Sequence, residues 1–256
     1  MTTPMALLKA DSTYTFKIFR YDSKTPEKEP SFSTYQVDVV PGMSVLSALL
    51  AIRDEMDGGL SFRCSCRSAV CGSCAMAMNG KIELACRTQV ASLGSDLIIL
   101  EPLPNFEIIK DLVVDMIPFW AKYDQIKPWL IRKTLPVGTE IRQSEEERNR
   151  IDQFVHCILC AACYGACPVP SRDPEYLGPA ALAKLERFVL DSRDERSPSA
   201  LEAVNNEKGV WGCDTLFKCI EACPKDVRPT DAIVGLRKSL VKHKFKKLLG
   251  MVKDED

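Results

Sequence analysis

Twelve cysteines, set out in two widely separated groups, constrain this 256-residue chain more than any other feature. None occurs before Cys64; five lie between residues 64 and 86, and none reappears until Cys157. Seven more lie between residues 157 and 223. No stretch reaches the roughly 18 apolar residues of a membrane span. The opening MTTPMALLKADSTY has no basic segment leading into a long apolar one, so no secretory signal is expected. A reducing compartment disfavours disulfides, and metal ligation becomes the default role for so many thiols.

The first group reads FRCSCRSAVCGSCAMAMNGKIELACR. Cys66, Cys71 and Cys74 form C-x4-C-x2-C, and Cys86 follows after eleven intervening residues. This is the plant-type spacing for a 2Fe–2S cluster held by four thiolates. Gly72 and Ser73 suit the gap between close ligands, because backbone N–H groups must approach the sulfurs and a bulky Cβ would obstruct them. A four-cysteine zinc site is the alternative, but zinc ribbons usually carry two C-x2-C pairs and only Cys71 and Cys74 form one.

The second group opens with HCILCAACYGACPVP, in which Cys157, Cys160, Cys163, Cys167 and Pro168 reproduce C-x2-C-x2-C-x3-C-P. A second run, CDTLFKCIEACP, keeps that register at Cys213, Cys219, Cys223 and Pro224 but has Leu216 where a cysteine belongs. In two-cluster ferredoxins the fourth cysteine of each run ligates the other cluster. On that rule Cys157, Cys160, Cys163 and Cys223 hold a 4Fe–4S cluster. Cys167, Cys213 and Cys219 are left with a second cluster and no fourth thiolate. Leu216 cannot bind iron, so the expected product is 3Fe–4S; a 4Fe–4S cluster with water or substrate at its open corner is the alternative. Cys64 is left without a ligand role and reads as a small, partly buried side chain.

The fold expected is α+β, with domains at 1–110 and 111–256. In the first, YTFKIFRY (14–21), STYQVDVV (33–40) and DLIILEPL (96–103) read as strands. Val45, Leu49, Ile52 and Met56 recur at helical spacing, and Asn79-Gly80 marks a hairpin. This suits a small β-grasp domain. The second domain reads as helical: Ser144 and Glu147 fit a capping box, Pro179 fits a first helical position, and Thr230 fits the cap of a last helix. Arg237, Lys238, Lys242, Lys244, Lys246 and Lys247 make that helix basic, which suits anionic headgroups, the termini of a membrane-bound partner or plain solvent.

The order 2Fe–2S, 4Fe–4S, 3Fe–4S resembles the iron–sulfur subunits of succinate dehydrogenase and fumarate reductase, respiratory complex II. LSFRCSCRSAVCGSCAMAMNGK, CILCAACYGACP, PEYLGPAALA and CIEACPKDVRPTDAI carry the likeness, which extends over about residues 12–245. The resemblance implies a plant-ferredoxin-like N-terminal domain, an all-α bacterial-ferredoxin-like C-terminal domain, and an FAD-bearing flavoprotein partner acting on succinate or fumarate. It also implies membrane-anchor subunits, with or without haem, that form a quinone site beside the 3Fe–4S cluster. The chain would then sit peripherally on the cytoplasmic face of the inner membrane. Pro168 and Leu216 suit the family's quinone-side wall. Where ubiquinone-using members carry His and Trp, this chain has Asp214 and Arg172, so menaquinone or ubiquinone is implied.

No dinucleotide fingerprint or P-loop is present, and His156 and His243 form no catalytic arrangement. The net charge of −1 suggests no nucleic acid. The chain therefore reads as an electron relay from flavin to quinone, without a dicarboxylate site of its own. A relay for another dehydrogenase (glycolate-oxidase-like or heterodisulfide-reductase-like) and a zinc-stabilised scaffold are the competing readings.

Overall fold

A computed structural model describes residues 12–133, 138–196 and 199–249. The leader reading above rests on residues 1–14, of which 1–11 lie outside them. The chain divides into two compact units, one of residues 1–116 with 158–165 and the other of residues 117–157 with 166–256. The break in sequence thus falls after Met116, and the short segment carrying Cys160 and Cys163 counts with the first unit.

The first unit is built on a five-stranded mixed sheet in the order β2-β1-β5-β3-β4. Strands β1 (Ser12–Arg20) and β2 (Ser31–Val39) pair antiparallel from Ser12 opposite Val39 to Arg20 opposite Ser31. Alternation places Phe16 and Ile18 of β1, and Val37 and Val39 of β2, in the core. The hairpin of β3 (Ala75–Met78) and β4 (Lys81–Leu84) turns at Asn79 and Gly80, both at positive φ (48° and 77°). That pair of left-handed residues is the two-residue turn whose twist matches the strands. β5 (Leu97–Glu101), last of the five in sequence, lies centrally, parallel to β1 and antiparallel to β3.

Helix α1 (Val45–Ala51) starts at Ser44, whose side chain accepts from the Ser47 N–H, and its last turn widens into a π-turn over Ile52–Met56. The Leu46 N–H donates to the Ala85 carbonyl at 2.9 Å and that of Val45 to Thr88 at 2.9 Å. These bonds pin the helix start to the residues flanking Cys86. At the other end, the Arg20 guanidinium bridges Asp57 and Asp111, and Asp111 also accepts from the Ser61 N–H at 2.9 Å. The polypeptide entering the first cysteine loop is therefore anchored on a charged cluster rather than on apolar contacts alone. The short strands β6 (Ile108–Lys110) and β7 (Val113–Val114) complete this unit, and the Val114 carbonyl accepts from Arg63 at 2.8 Å.

Helices make the second unit: α2 (Ile117–Gln125), α3 (Glu145–Val155), α5 (Val169–Arg172), α6 (Pro179–Val189), α7 (Ser199–Glu202), α8 (Lys218–Glu221) and α9 (Pro229–Leu248). Another short helix, α4 (Ala162–Ala166), precedes α5 in sequence. The Ser144–Glu147 capping box forms in both directions at the start of α3, and Pro179 occupies the first turn of α6. Tyr176, Leu182, Leu185, Val210, Ile233 and Leu236 make the main core cluster, with Cys167 and Cys213 packed against it. A smaller cluster of Phe154, Ala183, Val227 and Ala232 packs against Cys157 and Cys223. Both cysteine runs thus enter this unit through its core.

Candidate iron–sulfur centres

The loop between α1 and β3 carries Cys66, Cys71 and Cys74, and Cys86 follows β4. Arg67 and Ala69 take positive φ (56° and 55°) in alternation with ordinary residues, and Gly72 follows at 75°. Such alternation turns successive backbone N–H groups to one side and makes an anion-binding nest. The donors point at sulfur: Cys66 Sγ accepts from the N–H groups of Ser68 (3.4 Å), Val70 (3.3 Å) and Cys71 (3.2 Å). Cys86 Sγ accepts from Ala69 at 3.3 Å, and Cys74 Sγ from the Cys86 N–H at 3.5 Å.

Gly72 meets two constraints. Its φ is left-handed, and a Cβ built there would fall 2.6 Å from Cys160 Cβ within the same unit. The four sulfurs sit in unlike surroundings. The Ser73 hydroxyl, with help from Cys66, pulls the Cys71 thiol down to about 6. Burial pushes Cys74 up to about 12. Cys64 lies two residues before this set and is half-buried.

A second cysteine set shares one cavity in the helical unit, where Cys167, Cys213 and Cys219 line the wall with Leu216, Tyr176 and Thr230. Thr215 and Phe217 are at positive φ (58° and 61°), repeating the alternation of the first loop. The Thr215 N–H donates to Cys213 Sγ at 3.4 Å, and the Thr230 hydroxyl lies 3.1 Å from Cys219 Sγ. Burial raises the Cys167 thiol to about 11 and also raises Cys219. Tyr176, fully buried, is held far above its ordinary range by burial and then by Cys213, Cys167 and Cys219. Gly212 precedes Cys213 where a Cβ would fall 2.0 Å from the Glu207 carbonyl.

Arg237 secures this loop from α9. Its Nε donates to the Val210 carbonyl at 2.9 Å and its Nη2 to the Cys213 carbonyl at 2.8 Å, with the guanidinium over the Trp211 ring. At the rim, Arg172 Nη2 donates to both Asp214 carboxylate oxygens, at 3.0 and 2.9 Å. Leu216 is 55% exposed and Phe217 is 49% exposed beside them.

The remaining cysteines divide between the units. Cys160 and Cys163 lie in the first, among Leu159 and Ala161 at positive φ (55° and 61°). Cys157 and Cys223 lie in the second; burial raises the Cys223 thiol, opposed by the N–H groups of Lys225 and Val227.

The thiols, inward N–H groups and glycine-lined approach at Gly72 fit iron–sulfur clusters as a donor set. Among the described residues, no three His, Cys, Asp or Glu side chains converge to hold one metal ion.

Two family models match the chain: a 2Fe-2S iron-sulfur cluster binding domain over residues 15–121 and a 4Fe-4S dicluster domain over residues 149–224. The mitochondrial succinate dehydrogenase (ubiquinone) iron–sulfur subunit 1 of Oryza sativa subsp. japonica is 43% identical over 231 residues, 89% of this chain and 82% of that one. The fumarate reductase iron–sulfur subunit of Mycobacterium tuberculosis is 42% identical over 225 residues, 87% of this chain and 91% of that one. The chain belongs to the family of succinate dehydrogenase and fumarate reductase iron–sulfur subunits. A chain in the structure of the Mycobacterium smegmatis Sdh1 complex in the apo form superposes with a TM-score of 0.82 at 26% identity, covering 91% of this chain and 97% of that chain.

As a member of this family the chain is an iron–sulfur electron carrier within an oxidoreductase complex, on an α+β ferredoxin-like scaffold. Two readings of single residues change with the structure. Thr230 does not cap α9: Arg228 stands at the cap, Pro229 fills the first turn, and the buried Thr230 hydroxyl meets a cysteine sulfur instead. Arg237 does not belong to an outward basic face, because its donors are spent on the Cys213 loop. Tyr176 was invisible as a site residue; its only sequence signal is its place beside Gly178-Pro179 in PEYLGPAALA. Arg172 and Asp214, read separately as departures from the ubiquinone-using pattern, bond to each other.

Proposed function

We propose that the chain relays electrons between the FAD of a partner flavoprotein and a quinone held with membrane-anchor subunits, peripherally on the cytoplasmic face of the inner membrane. Cys66, Cys71, Cys74 and Cys86 would hold the 2Fe–2S cluster, and Cys157, Cys160, Cys163 and Cys223 the 4Fe–4S cluster on the register of their two runs. Cys167, Cys213 and Cys219 would hold the 3Fe–4S cluster. Bound there, the clusters would supply one-electron carriers in the order 2Fe–2S, 4Fe–4S, 3Fe–4S.

The observation that carries this reading is the cavity where three cysteines meet the Leu216 side chain in place of a fourth thiol. The protein's own contribution is electrostatic. Backbone N–H groups offset thiolate charge at Cys66 and Cys213, and each such bond favours the more negative, reduced form of whatever the sulfurs bind. Thr230 does the same for Cys219, and the apolar wall of Tyr176, Val169 and Ile233 limits water. The rim then divides into an apolar part, Pro168 and Leu216, and a charged part, Arg172 with Asp214. A quinone headgroup placed there would meet the guanidinium as its donor instead of the His and Trp of the ubiquinone-using pattern, and menaquinone suits that exchange as well as ubiquinone. No residue of this chain is assigned a role in dicarboxylate chemistry.

Iron and acid-labile sulfide analysis of anaerobically purified protein tests the cofactor content. About nine irons and about ten sulfides per chain are expected. Stoichiometric zinc without sulfide would overturn the relay. Co-purification of a succinate-reactive flavoprotein tests the partner, and its replacement by a different dehydrogenase would reassign the donor.

A further inference from the structure

Helix α9 has two apolar faces. The first is the ordinary one: Ala232, Ile233, Leu236 and Leu240 are buried in the second unit. After Leu240 the helix continues for two more turns with little of it buried, and a new stripe begins at Val241, Phe245, Leu248 and Leu249. These four are 53–82% exposed. At 3.6 residues per turn they occupy about 100° of arc, centred about 150° around the helix from the buried face. The stripe is therefore not an end of the core contact left uncovered; it points away from the core.

Lysines border the stripe on both sides. Lys242 and Lys246 follow one edge and Lys244 the other, Lys238 lies one turn back, and Lys247 lies farther round the helix. No acidic residue occurs between Ala232 and Lys253; the final DED is the first negative charge after Asp231. Each lysine can lay its aliphatic stem along the apolar stripe while holding its ammonium at the level of headgroups.

We infer that the C-terminal half of α9 is an interfacial anchor, its Val241–Leu249 stripe seated in the headgroup boundary of a bilayer containing anionic phospholipid. The apolar arc supplies the insertion, and the lysines of this segment supply the attraction to anionic headgroups. Charge complementarity selects this occupant: five lysines in twelve residues, without one acid, match an anionic surface. The inference deepens the peripheral attachment proposed above by giving it a site on this chain. Vesicle binding needs neither flavoprotein nor anchors nor turnover, so the two readings can fail separately.

The test is flotation of the full, cluster-loaded chain with phosphatidylcholine vesicles, with and without phosphatidylglycerol. The wild type is expected to float with the anionic vesicles only and to be released by salt. Lys242→Gln and Lys246→Gln should each weaken partitioning about fivefold. Phe245→Ser combined with Leu248→Ser should weaken it by at least about tenfold, since both lose their apolar burial. Because these side chains are exposed, the variants should keep the wild-type visible spectrum, which separates lost binding from lost folding. Wild-type protein that stays at the bottom of the gradient overturns the proposal. Flotation unchanged by the Phe245 and Leu248 substitutions overturns it too, leaving a solvated basic helix. Loss of anchor-subunit co-purification without any vesicle binding would make the stripe a protein contact instead.

Discussion

Single residues decide whether the first cysteine loop can form. Gly72 must be left-handed and must let the Cys160 backbone pass, so Gly72→Ala should cost at least about 2 kcal/mol. Its thermal midpoint should fall and 2Fe–2S absorption should be lost selectively; a variant with wild-type iron content and midpoint would contradict this. Asp57 acts at the entrance to the same loop, with its carboxylate held down to about 2 by the Tyr35 hydroxyl and then Arg20. A carboxylate with a depressed folded pKa stabilises above its unfolded value near 4 and loses that stabilisation as pH falls toward 2. Asp57→Asn should therefore cost about 2 kcal/mol at pH 7 and progressively less below pH 4, measured by denaturant unfolding of the wild type and variant in parallel. The cysteines and Gly72 were legible in the sequence because spacing along one loop is local information. Tyr176 and Arg237 were not. Each reaches the Cys213 loop from a distant element, and neither a tyrosine nor a helix arginine has a spacing that marks such a contact.

At the scale of elements, the packing of α6 on α9 contains a polar anomaly. Glu186 is 4% exposed, its Oε2 is without a hydrogen-bond partner, and burial raises its carboxyl to about 7. The group faces Gly235, where a Cβ would fall 2.1 Å from Glu186 Oε1. A raised carboxyl pKa leaves the fold unpenalised below about 4.5, where both states are protonated. The cost then grows as pH climbs toward 7, because only the unfolded chain ionises freely. Glu186→Gln should remove that slope and gain up to about 3 kcal/mol above pH 7, read from unfolding midpoints between pH 4 and 8. An unchanged slope would show that the carboxyl is ionised and paired in the folded protein. Gly235→Ala should be destabilising for the complementary reason, unless Glu186 is shortened with it. Secondary structure was largely readable: alternation marked β1 and β2, Asn79-Gly80 marked the hairpin, and Ser144 with Glu147 marked α3. The central position of β5 was not, because strand order is set by pairing across the sheet rather than by its own sequence. Thr230 was misread because a threonine near a helix start is ordinarily a cap, and only the buried sulfur beside it reveals its other partner.

For the whole molecule, two domains of ferredoxin type joined in one chain make sense as a carrier with more than one centre. Among the described residues no helix is long and apolar enough to cross a membrane. The attachment proposed above would rest on partner subunits or on surface elements such as α9. Leu216 carries the central claim that the inner cavity holds a cluster of three irons rather than four. Low-temperature EPR of the anaerobically purified complex, air-oxidised and then reduced stepwise, tests that claim most directly. A 3Fe–4S centre is paramagnetic when oxidised, while 2Fe–2S and 4Fe–4S centres of this kind become so on reduction. An oxidised-state signal of about one spin per chain is expected, and Leu216→Cys should abolish it by completing the C-x2-C-x2-C-x3-C run. An oxidised wild type without signal, showing two 4Fe–4S signals on reduction, would mean that another ligand fills the place of the missing cysteine and that the proposed terminal donor is wrong.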